Sequence, residues 1–403
     1  MAENEIWGKT ILRRYRRIDP WFIAKAGLNL YRGCAHDCAY CDGRAEKYQV
    51  TGDFAHEVAV KSNALEVLRR ELQVRRHRER PANEGQGELW PQQDPIGGPQ
   101  IRAEIANGFV MMGGGVGDSY QAIEARRFAA RGVLELFESA AVPVHILTKS
   151  ALVLRDIDLI ERINRKAGAL VSFSISTSMD SLALELEPGA PPPSERLAAL
   201  ARLRRSGLPG GVFLLPVVPF ISDSPEMIDA SVCAAIDAGA QYVVFGGMTL
   251  KSGRQREHFL DVLARTRPGL PEKIASLYPI AGPQAKWGQA FPNYYGRIRG
   301  IFNECVRRRR VPPRIPRRLF PDIVFGPDLV AVLLEHISVL LAIEGRPSPY
   351  GREAARIARI SSPLQLGAYE GPAASEVREI LATGTCGLYE RLMETLVPAG
   401  SVT

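Results

Sequence analysis

The sequence predicts an α/β fold: a partial, TIM-like (β/α)6 barrel followed by a mainly helical C-terminal extension. Short apolar segments alternate with segments of helical length from residue 22 to about residue 265, which is the pattern of a parallel sheet covered by helices. The alternation provides six strands, too few for the usual eight-stranded barrel, so we expect an open barrel. Beyond residue 265 the alternation stops.

The predicted strands are short apolar runs bounded by turn residues. They are 22–31, 108–112, 142–147, 169–175, 211–218 and 241–245. Helices are predicted between them at 57–80, 123–139, 154–166, 195–206 and 225–238. Residues 81–100 are rich in Gly, Pro, Gln and Asn, which predicts an exposed loop insertion.

Three regions are expected along the chain. Residues 1–20 are polar and basic and are predicted as an arm, residues 21–265 as the barrel, and residues 266–403 as a basic and aromatic segment followed by helices. The longest apolar stretch, 329–343, contains Glu335 and His336 and is shorter than a membrane span. We therefore expect a buried helix there and no membrane association.

Composition excludes several classes of protein. Of 403 residues 46% are hydrophobic and 24% charged, so a disordered or fibrous chain is excluded. The net charge of +7 permits an anionic partner without requiring one. Six cysteines, with no apolar N-terminal stretch of signal-peptide length, do not fit a disulfide-stapled secreted protein. The expected compartment is the cytoplasm.

Three of the cysteines form a cluster. Cys34, Cys38 and Cys41 have the spacing C-x3-C-x2-C, and three thiolates in one short loop can hold three irons of a cubane cluster. A [4Fe–4S] cluster normally takes four cysteines, so one iron would stay open for another ligand. The alternatives are coincidence and a zinc site that includes His36, although zinc sites usually have a second ligand pair farther along the chain.

This spacing resembles the hallmark of the radical S-adenosylmethionine (SAM) superfamily. Segments 29–34, 40–42, 147–150, 187–191 and 215–219 are similar to the branch related to spore photoproduct lyase, and the resemblance covers about residues 20–260. It implies a barrel of the radical SAM type. It also implies a [4Fe–4S] cluster whose open iron binds SAM, and cleavage of SAM to a 5′-deoxyadenosyl radical that abstracts hydrogen from a substrate. A reductant such as flavodoxin or ferredoxin is then an expected partner.

The resemblance also assigns cofactor-binding residues at the carboxyl ends of the strands, where barrel active sites lie. Gly113, Gly114 and Gly115 occupy the place of the family's amine-binding motif. Lys149 matches the lysine that meets the methionine carboxylate. Ser174, with Ser176 as its neighbour, matches a polar residue for the same group, and Tyr40 matches an aromatic residue beside the adenine. The ordinary alternatives are a glycine turn, a solvated lysine and a packing tyrosine.

Two departures separate the chain from spore photoproduct lyase. The loop after the second strand contains no cysteine, and Asp42 stands where a tyrosine is expected. The known relay that returns hydrogen to the substrate is therefore absent, and no catalytic residue is assigned. Cys305 is a second candidate for this role, but a lone cysteine is more often an inert small hydrophobe.

The substrate is the least determined part. Residues 287–320 mix aromatic residues with arginines, a composition typical of surfaces that stack bases and neutralise phosphates; a solvated basic surface is the alternative. The leading interpretation is a radical SAM enzyme acting on a DNA lesion, hence in DNA repair, or on another nucleic acid. The alternatives are radical modification of a peptide, protein or small metabolite, and a non-catalytic, metal-containing nucleic-acid-binding protein.

Overall fold

The computed structural model describes residues 4–78, 107–114, 117–360 and 363–396. The predicted insertion at 81–100 and the site residue Gly115 lie outside these ranges. The strands are β1 (Asn4–Ile6), β2 (Leu12–Asp19), β3 (Ala24–Leu28), β4 (Tyr31–Arg32), β5 (Ala59–Lys61), β6 (Phe109–Met112), β7 (Val144–Thr148), β8 (Ala169–Ile175), β9 (Gly210–Val217) and β10 (Val243–Gly247).

The main sheet has seven strands in the order β10-β9-β8-β7-β6-β3-β2. The six predicted strands correspond to β3 and β6 to β10, and neighbouring members pair in parallel. The expected α/β class is confirmed, although the sheet is mixed because β2 pairs with β3 in antiparallel orientation. Since β2 and β10 are edges that do not pair with each other, the sheet is open.

Strand β2 lies where the sequence predicts a basic arm. Its arginines at positions 13, 14, 16 and 17 are exposed, whereas Ile18 is buried. A row of charges is typical of an edge strand, because it discourages pairing with another chain. The arginine-rich composition predicted an arm and gave no indication of a strand. The structure corrects this, because residues 12–19 belong to the sheet.

Helices cover the sheet and build the C-terminal part. They are α1 (Ala64–Arg78), α2 (Glu124–Arg127), α3 (Ala129–Ala140), α4 (Ile157–Lys166), α5 (Asp180–Leu186), α6 (Pro193–Arg205), α7 (Pro225–Asp237), α8 (Arg254–Thr266), α9 (Pro271–Ala275), α10 (Gly282–Trp287), α11 (Pro292–Arg309), α12 (Gly326–Ile343), α13 (Tyr350–Ile357), α14 (Pro363–Gly367), α15 (Ala374–Thr383) and α16 (Gly387–Glu394). The C-terminal extension is helical, as expected.

The core is one apolar cluster that runs through both parts of the chain. Every residue of β7 and β8 is buried, as expected for central strands with both faces covered. Helix α12 is the one helix in the described residues that is long and apolar enough to cross a membrane, and 67% of it is buried. It packs against α13 and α16, which confirms the predicted buried helix.

A smaller sheet positions the cysteines. Its order is β1-β5-β4, and β4 runs directly into the loop of residues 33–41, called here the cysteine loop. Short 3-10 helices, Asp42–Arg44 and Glu46–Tyr48, follow that loop. The cysteine loop thereby lies beside the carboxyl ends of the main parallel strands.

Candidate metal and cofactor site

A cavity of about 320 Å³ opens at the carboxyl ends of the parallel strands. The residues predicted from the sequence that line it are Cys34, Cys38, Cys41, Tyr40, Gly114, Lys149 and Ser174. Gly113 lies beside it in an adjoining groove. Residues more than a hundred positions apart in the sequence are therefore brought to one site. The chemistry of the cavity can be derived from the contacts of each.

The start of the cysteine loop is fixed by its own backbone. Gly33 has a φ of 84°, and a Cβ there would lie 2.5 Å from the carbonyl oxygen of Phe54, so only glycine fits. The backbone N–H of Cys34 donates to the same Phe54 oxygen at 2.9 Å. Fully buried Gln121 accepts from the N–H of Ala35 at 2.7 Å and donates to the Gly33 carbonyl at 3.3 Å.

A second segment, residues 187–191, braces the cysteine loop from the other side. Gly189 N–H donates to the carbonyl of His36 at 3.1 Å, and Ala39 N–H donates to the carbonyl of Leu186 at 2.8 Å. A Cβ at Gly189 would lie 2.0 Å from the Ala35 carbonyl oxygen. This close approach of two backbones requires glycine, and together with the two hydrogen bonds it fixes the position of the loop.

The three thiols suit a metal centre by their chemistry. All three are free, Cys34 and Cys38 are buried, and Cys41 is half-buried. Burial raises the pKa of all three, for Cys34 to about 12, so the thiolates that bind metals need a nearby cation to form. Within the described ranges no three His, Cys, Asp or Glu side chains converge on one metal ion. Three cysteines can each bind one iron of a [4Fe–4S] cluster and leave the fourth iron open, so the chemistry of this donor set fits such a cluster.

The contacts of His36 also disfavour its role as the fourth ligand of a zinc site. His36 Nε2 lies 3.1 Å from Asp118 Oδ2, and Nδ1 lies 3.3 Å from the Gly189 carbonyl oxygen. Both ring nitrogens therefore have protein partners. His36 links the cysteine loop to its neighbours and is not poised as a ligand.

Asp118 is a buried carboxylate that sequence reasoning missed. It accepts hydrogen bonds from Thr148 Oγ1 at 2.8 Å and from the backbone N–H of Lys149 at 2.7 Å, besides its contact with His36. Burial raises the pKa of Asp118, but the hydrogen bond and charge of His36 and the N–H donors outweigh burial, so the pKa lies below its ordinary value. Asp118 thus joins the glycine loop to the end of β7.

The residues expected to hold a methionine carboxylate and an adenine meet around Lys149. Its Nζ lies 3.1 Å from Tyr40 Oη, 3.4 Å from Ser174 Oγ and 3.0 Å from Glu187 Oε1. Ser176, the neighbour considered with Ser174, donates to Glu187 at 2.8 Å. Lys149 is therefore held in place by partners and is no freely solvated surface lysine.

Glu187 is the second buried carboxylate that the sequence reasoning gave no role. It is fully buried, accepts from Tyr40 and Lys149 on one oxygen, and pairs with buried Arg196 on the other. Burial raises the pKa of Glu187, but the charges of Lys149 and Arg196 outweigh it and hold the pKa at about 2. The sequence relates segment 187–191 to the family only by resemblance. It does not indicate that Glu187 contacts Tyr40, Lys149 and Arg196.

The glycine loop after β6 is conformationally constrained. Gly113 and Gly114 have φ values of 92° and 76°, which favour glycine. A Cβ at Gly113 would lie 2.1 Å from the Leu147 carbonyl oxygen. The turn therefore packs closely against the end of β7, which requires glycine at position 113, and Gly114 lines the cavity.

Asp42 lies on a different wall of the cavity, between groups that satisfy its charge. It accepts hydrogen bonds from Tyr48 Oη at 2.7 Å, from Thr249 Oγ1 at 3.2 Å and from Lys251 Nζ. Burial raises the pKa of Asp42, but these donors, Lys251 first, lower it below its ordinary value. A charged, hydrogen-bonded wall therefore replaces the tyrosine expected at this position.

The basic and aromatic segment 287–320 is largely used for structure. Tyr294 and Phe302 are buried. Arg308 and Arg309 pair with Asp229, and Arg314 pairs with Glu335. Cys305 is buried in α11 and is not among the residues that line the cavity.

A further cluster of positive charge lies in a groove that adjoins the cavity. This groove, called here the basic groove, has a volume of about 680 Å³ and is lined by Arg13, Arg32, Lys47 and Lys61. It shares Tyr48 and Gly114 with the cavity. No carboxylate of the described residues lines it. Burial and the charge of Arg32 lower the pKa of Lys61, and the more distant charge of Glu71 offsets only part of this.

Comparison with known proteins agrees with this architecture. No family model matches the chain. An uncharacterized protein of Mycobacterium tuberculosis is 31% identical over 255 residues, which are 62% of this chain and 66% of that protein. An uncharacterized protein of Methanocaldococcus jannaschii is 26% identical over 253 residues, 62% of this chain and 81% of the relative. The chain thus spans slightly less than two-thirds of the mycobacterial relative's length.

Solved structures with a similar fold are those of spore photoproduct lyase. The complex with dinucleoside spore photoproduct matches with a TM-score of 0.52 at 14% identity, covering 79% of this chain and 80% of that one. A variant with bound AdoMet and dinucleoside spore photoproduct matches with a TM-score of 0.50 at 15% identity, covering 77% and 78%. At such identities the likeness establishes a shared fold.

Proposed function

We propose that this chain is a radical SAM enzyme whose [4Fe–4S] cluster is held by Cys34, Cys38 and Cys41. The observation that carries the proposal is that these three thiols line one cavity together with Tyr40, Gly114, Lys149 and Ser174, four of the residues matched to SAM-binding positions. Zinc is disfavoured because both nitrogens of His36 are engaged. A shared fold with spore photoproduct lyase supports the same type of enzyme.

The residues of the cavity have separate roles in this proposal. A reduced cluster, when bound, supplies the electron that cleaves SAM to methionine and a 5′-deoxyadenosyl radical, which takes hydrogen from the substrate. Lys149 attracts the methionine carboxylate, with Ser174 beside it. The backbone at Gly113 and Gly114, with Gly115 next in sequence, receives the amino group. Tyr40 packs beside the adenine, and the buried walls exclude water.

For the substrate we propose a nucleic acid, and a DNA lesion is the first candidate. Support comes from the basic groove, whose four cations adjoin the cavity and of which Lys47 alone pairs with a carboxylate among the described residues, that of Asp42; such cations bind phosphates in a salt-dependent way. Tyr15 and Tyr48 also line the groove and offer rings for stacking. Peptides, proteins and small metabolites are the alternative substrate class, and they require no such charge.

The reaction outcome is expected to differ from photoproduct lysis. Residues 113–120 contain no cysteine and position 42 is Asp, so the relay known from the lyase cannot return a hydrogen atom. A cytoplasmic protein reduced by flavodoxin or ferredoxin is the setting that we propose. DNA repair is one role within it.

The test is production of 5′-deoxyadenosine. The protein is reconstituted anaerobically with iron and sulfide, reduced and mixed with SAM, and the product is quantified by chromatography beside a Cys34→Ala variant. Product that is lost in the variant supports the proposal, and irradiated DNA, RNA and peptides are then compared as substrates. Zinc-loaded protein that yields no 5′-deoxyadenosine contradicts it and favours a non-catalytic, metal-containing binding protein.

A further inference from the structure

Lys149, which lines the cavity, forms one charged group with two fully buried residues behind it, Glu187 and Arg196. We propose that Glu187 and Arg196 are positioning residues that hold the Lys149 ammonium and leave one net positive charge in the wall, and that this charge selects the carboxylate of SAM. The inference rests on the proposed function. It assigns roles to two residues that do not themselves line the cavity.

Glu187 fixes the position of Lys149. Its Oε1 accepts from Lys149 Nζ at 3.0 Å, from Ser176 Oγ at 2.8 Å and from Tyr40 Oη. Because the side chain of Glu187 is fully buried and that of Lys149 is only 12% exposed, solvent hardly competes for these contacts. The ammonium is therefore directed by several partners at once, and the tyrosine is directed with it.

A single carboxylate beside Lys149 would also cancel its charge. A neutral lysine–glutamate pair attracts an incoming carboxylate only weakly, so Glu187 alone would oppose the role proposed for Lys149. Arg196 resolves this conflict. It is fully buried and pairs with Glu187 Oε2, so two positive charges face one negative charge and the group keeps a net charge of one.

Arg196 is tied into the fold independently of Glu187. Its Nε donates to the Pro191 carbonyl at 2.7 Å and Nη1 donates to the Ser174 carbonyl at 3.0 Å. Arg196 therefore connects segment 187–191 to the end of β8, where Ser174 contacts Lys149. The other buried carboxylate nearby, Asp118, has its own donors in His36, Thr148 and a backbone N–H, so it is no counter-ion of this group.

The experiment compares two ligands that differ by one carboxylate. Equilibrium dialysis under anaerobic conditions measures the binding of SAM and of decarboxylated SAM to the reconstituted protein. In Arg196→Gln the wall becomes neutral, and selectivity for SAM over the decarboxylated ligand is expected to fall about tenfold. In the double variant Glu187→Gln/Arg196→Gln the charge of Lys149 stands alone, and selectivity is expected to return to within about threefold of the wild type.

If Arg196 had only a structural role, its variants would show a different pattern of ligand binding. Damage to the fold would weaken both ligands together, and the double variant would be no better than the single one; either result overturns the inference. Arg196→Lys keeps the charge with altered geometry and is expected to retain most of the selectivity. If Arg196→Gln does not fold, the same selectivity is measured on Arg196→Lys. A folded Arg196→Lys that has lost its selectivity for SAM contradicts the inference.

Failure of the proposed function looks different from failure of this inference. A wild-type protein that binds neither ligand refutes the radical SAM assignment, and the inference falls with it. A wild type that binds SAM and makes 5′-deoxyadenosine, with unchanged selectivity in Arg196→Gln, refutes the inference alone. Iron content and thermal unfolding of each variant identify changes in loading or folding.

Discussion

The buried charge group and the basic groove use positive charge in opposite ways. Lys149 and Arg196 are fixed by a shared carboxylate and by backbone carbonyls, whereas Arg32 and Lys61 have no ion pair within the described part of the chain. Buried charges that are held in one position attract a single ligand group strongly, because solvent does not screen them. Unpaired charges near water bind many anions weakly and are screened by salt. The first region suits a cofactor, and the second suits an extended substrate.

The largest effect is expected from the cysteines proposed as ligands of the cluster. Cys38→Ser should lower bound iron to background and reduce 5′-deoxyadenosine formation at least about a hundredfold, since each iron normally needs its thiolate. Iron analysis and product chromatography measure this. Cys233→Ser, at a half-buried position in α7, is the matched control and should keep both. Equal iron in the two variants would refute the assignment of Cys38.

The second-largest effect is expected where segment 187–191 packs closely against the backbone of the cysteine loop. Gly189→Ala places a Cβ 2.0 Å from the Ala35 carbonyl oxygen, and we expect a loss of about 3 kcal/mol in unfolding free energy with reduced iron binding. Urea unfolding measures the first and iron analysis the second. Gly300→Ala, in α11 with no atom within 4 Å of the new Cβ, should be neutral or slightly stabilising. Equal stabilities would show that the loop can move aside.

The pH dependence of stability sharpens the description of Glu187. Its pKa is about 2 in the folded protein, against an ordinary value of 4.5, so its stabilising contribution is present above about pH 4.5 and is lost as the pH falls towards 2. Between about pH 6 and about pH 3 we expect this to remove about 2 kcal/mol of unfolding free energy. Urea unfolding at both pH values measures it. Glu187→Gln should show a correspondingly shallower dependence, and an identical slope in both proteins would contradict the burial and pairing described.

The smallest effect belongs to the basic groove. Arg32→Gln/Lys61→Gln should weaken binding of a single-stranded oligonucleotide about tenfold at low salt and make its logarithmic dependence on salt shallower by about two phosphate contacts. Fluorescence anisotropy across a salt series measures this, and SAM binding should not change. Arg165→Gln/Arg205→Gln, on the outer helices α4 and α6, removes the same charge elsewhere. A similar loss in that control would show that binding follows net charge and not the groove.

Local sequence patterns predicted the strands, and the family resemblance predicted the cofactor-binding residues at their ends. Apolar runs such as 169–175 are visible without tertiary information, and the resemblance matched Lys149 and Ser174 to the carboxyl ends of neighbouring strands, where barrel sites lie. Strand β2 was not predicted because it contains few apolar residues among its arginines. An edge strand needs only one apolar face, so its sequence pattern is weak. That face becomes apparent only once β3 is beside it.

The buried partners of the site could not be predicted in the same way. Tyr40 and Glu187 are 147 positions apart, and no periodicity relates them. Arg196 lies in a helix where an arginine ordinarily faces water, and only the packing of segment 187–191 against the end of β8 buries it. The missing information was tertiary, because it concerns which loop lies over which strand.

The backbone contacts of the cysteine loop have a consequence for where substitutions can act. Main-chain hydrogen bonds from Gly189 to His36, from Ala39 to Leu186 and from Cys34 to Phe54 hold the loop. The course of the loop therefore depends on segments outside it. A change that shifts one of these segments is expected to displace the thiols although it leaves every cysteine in place.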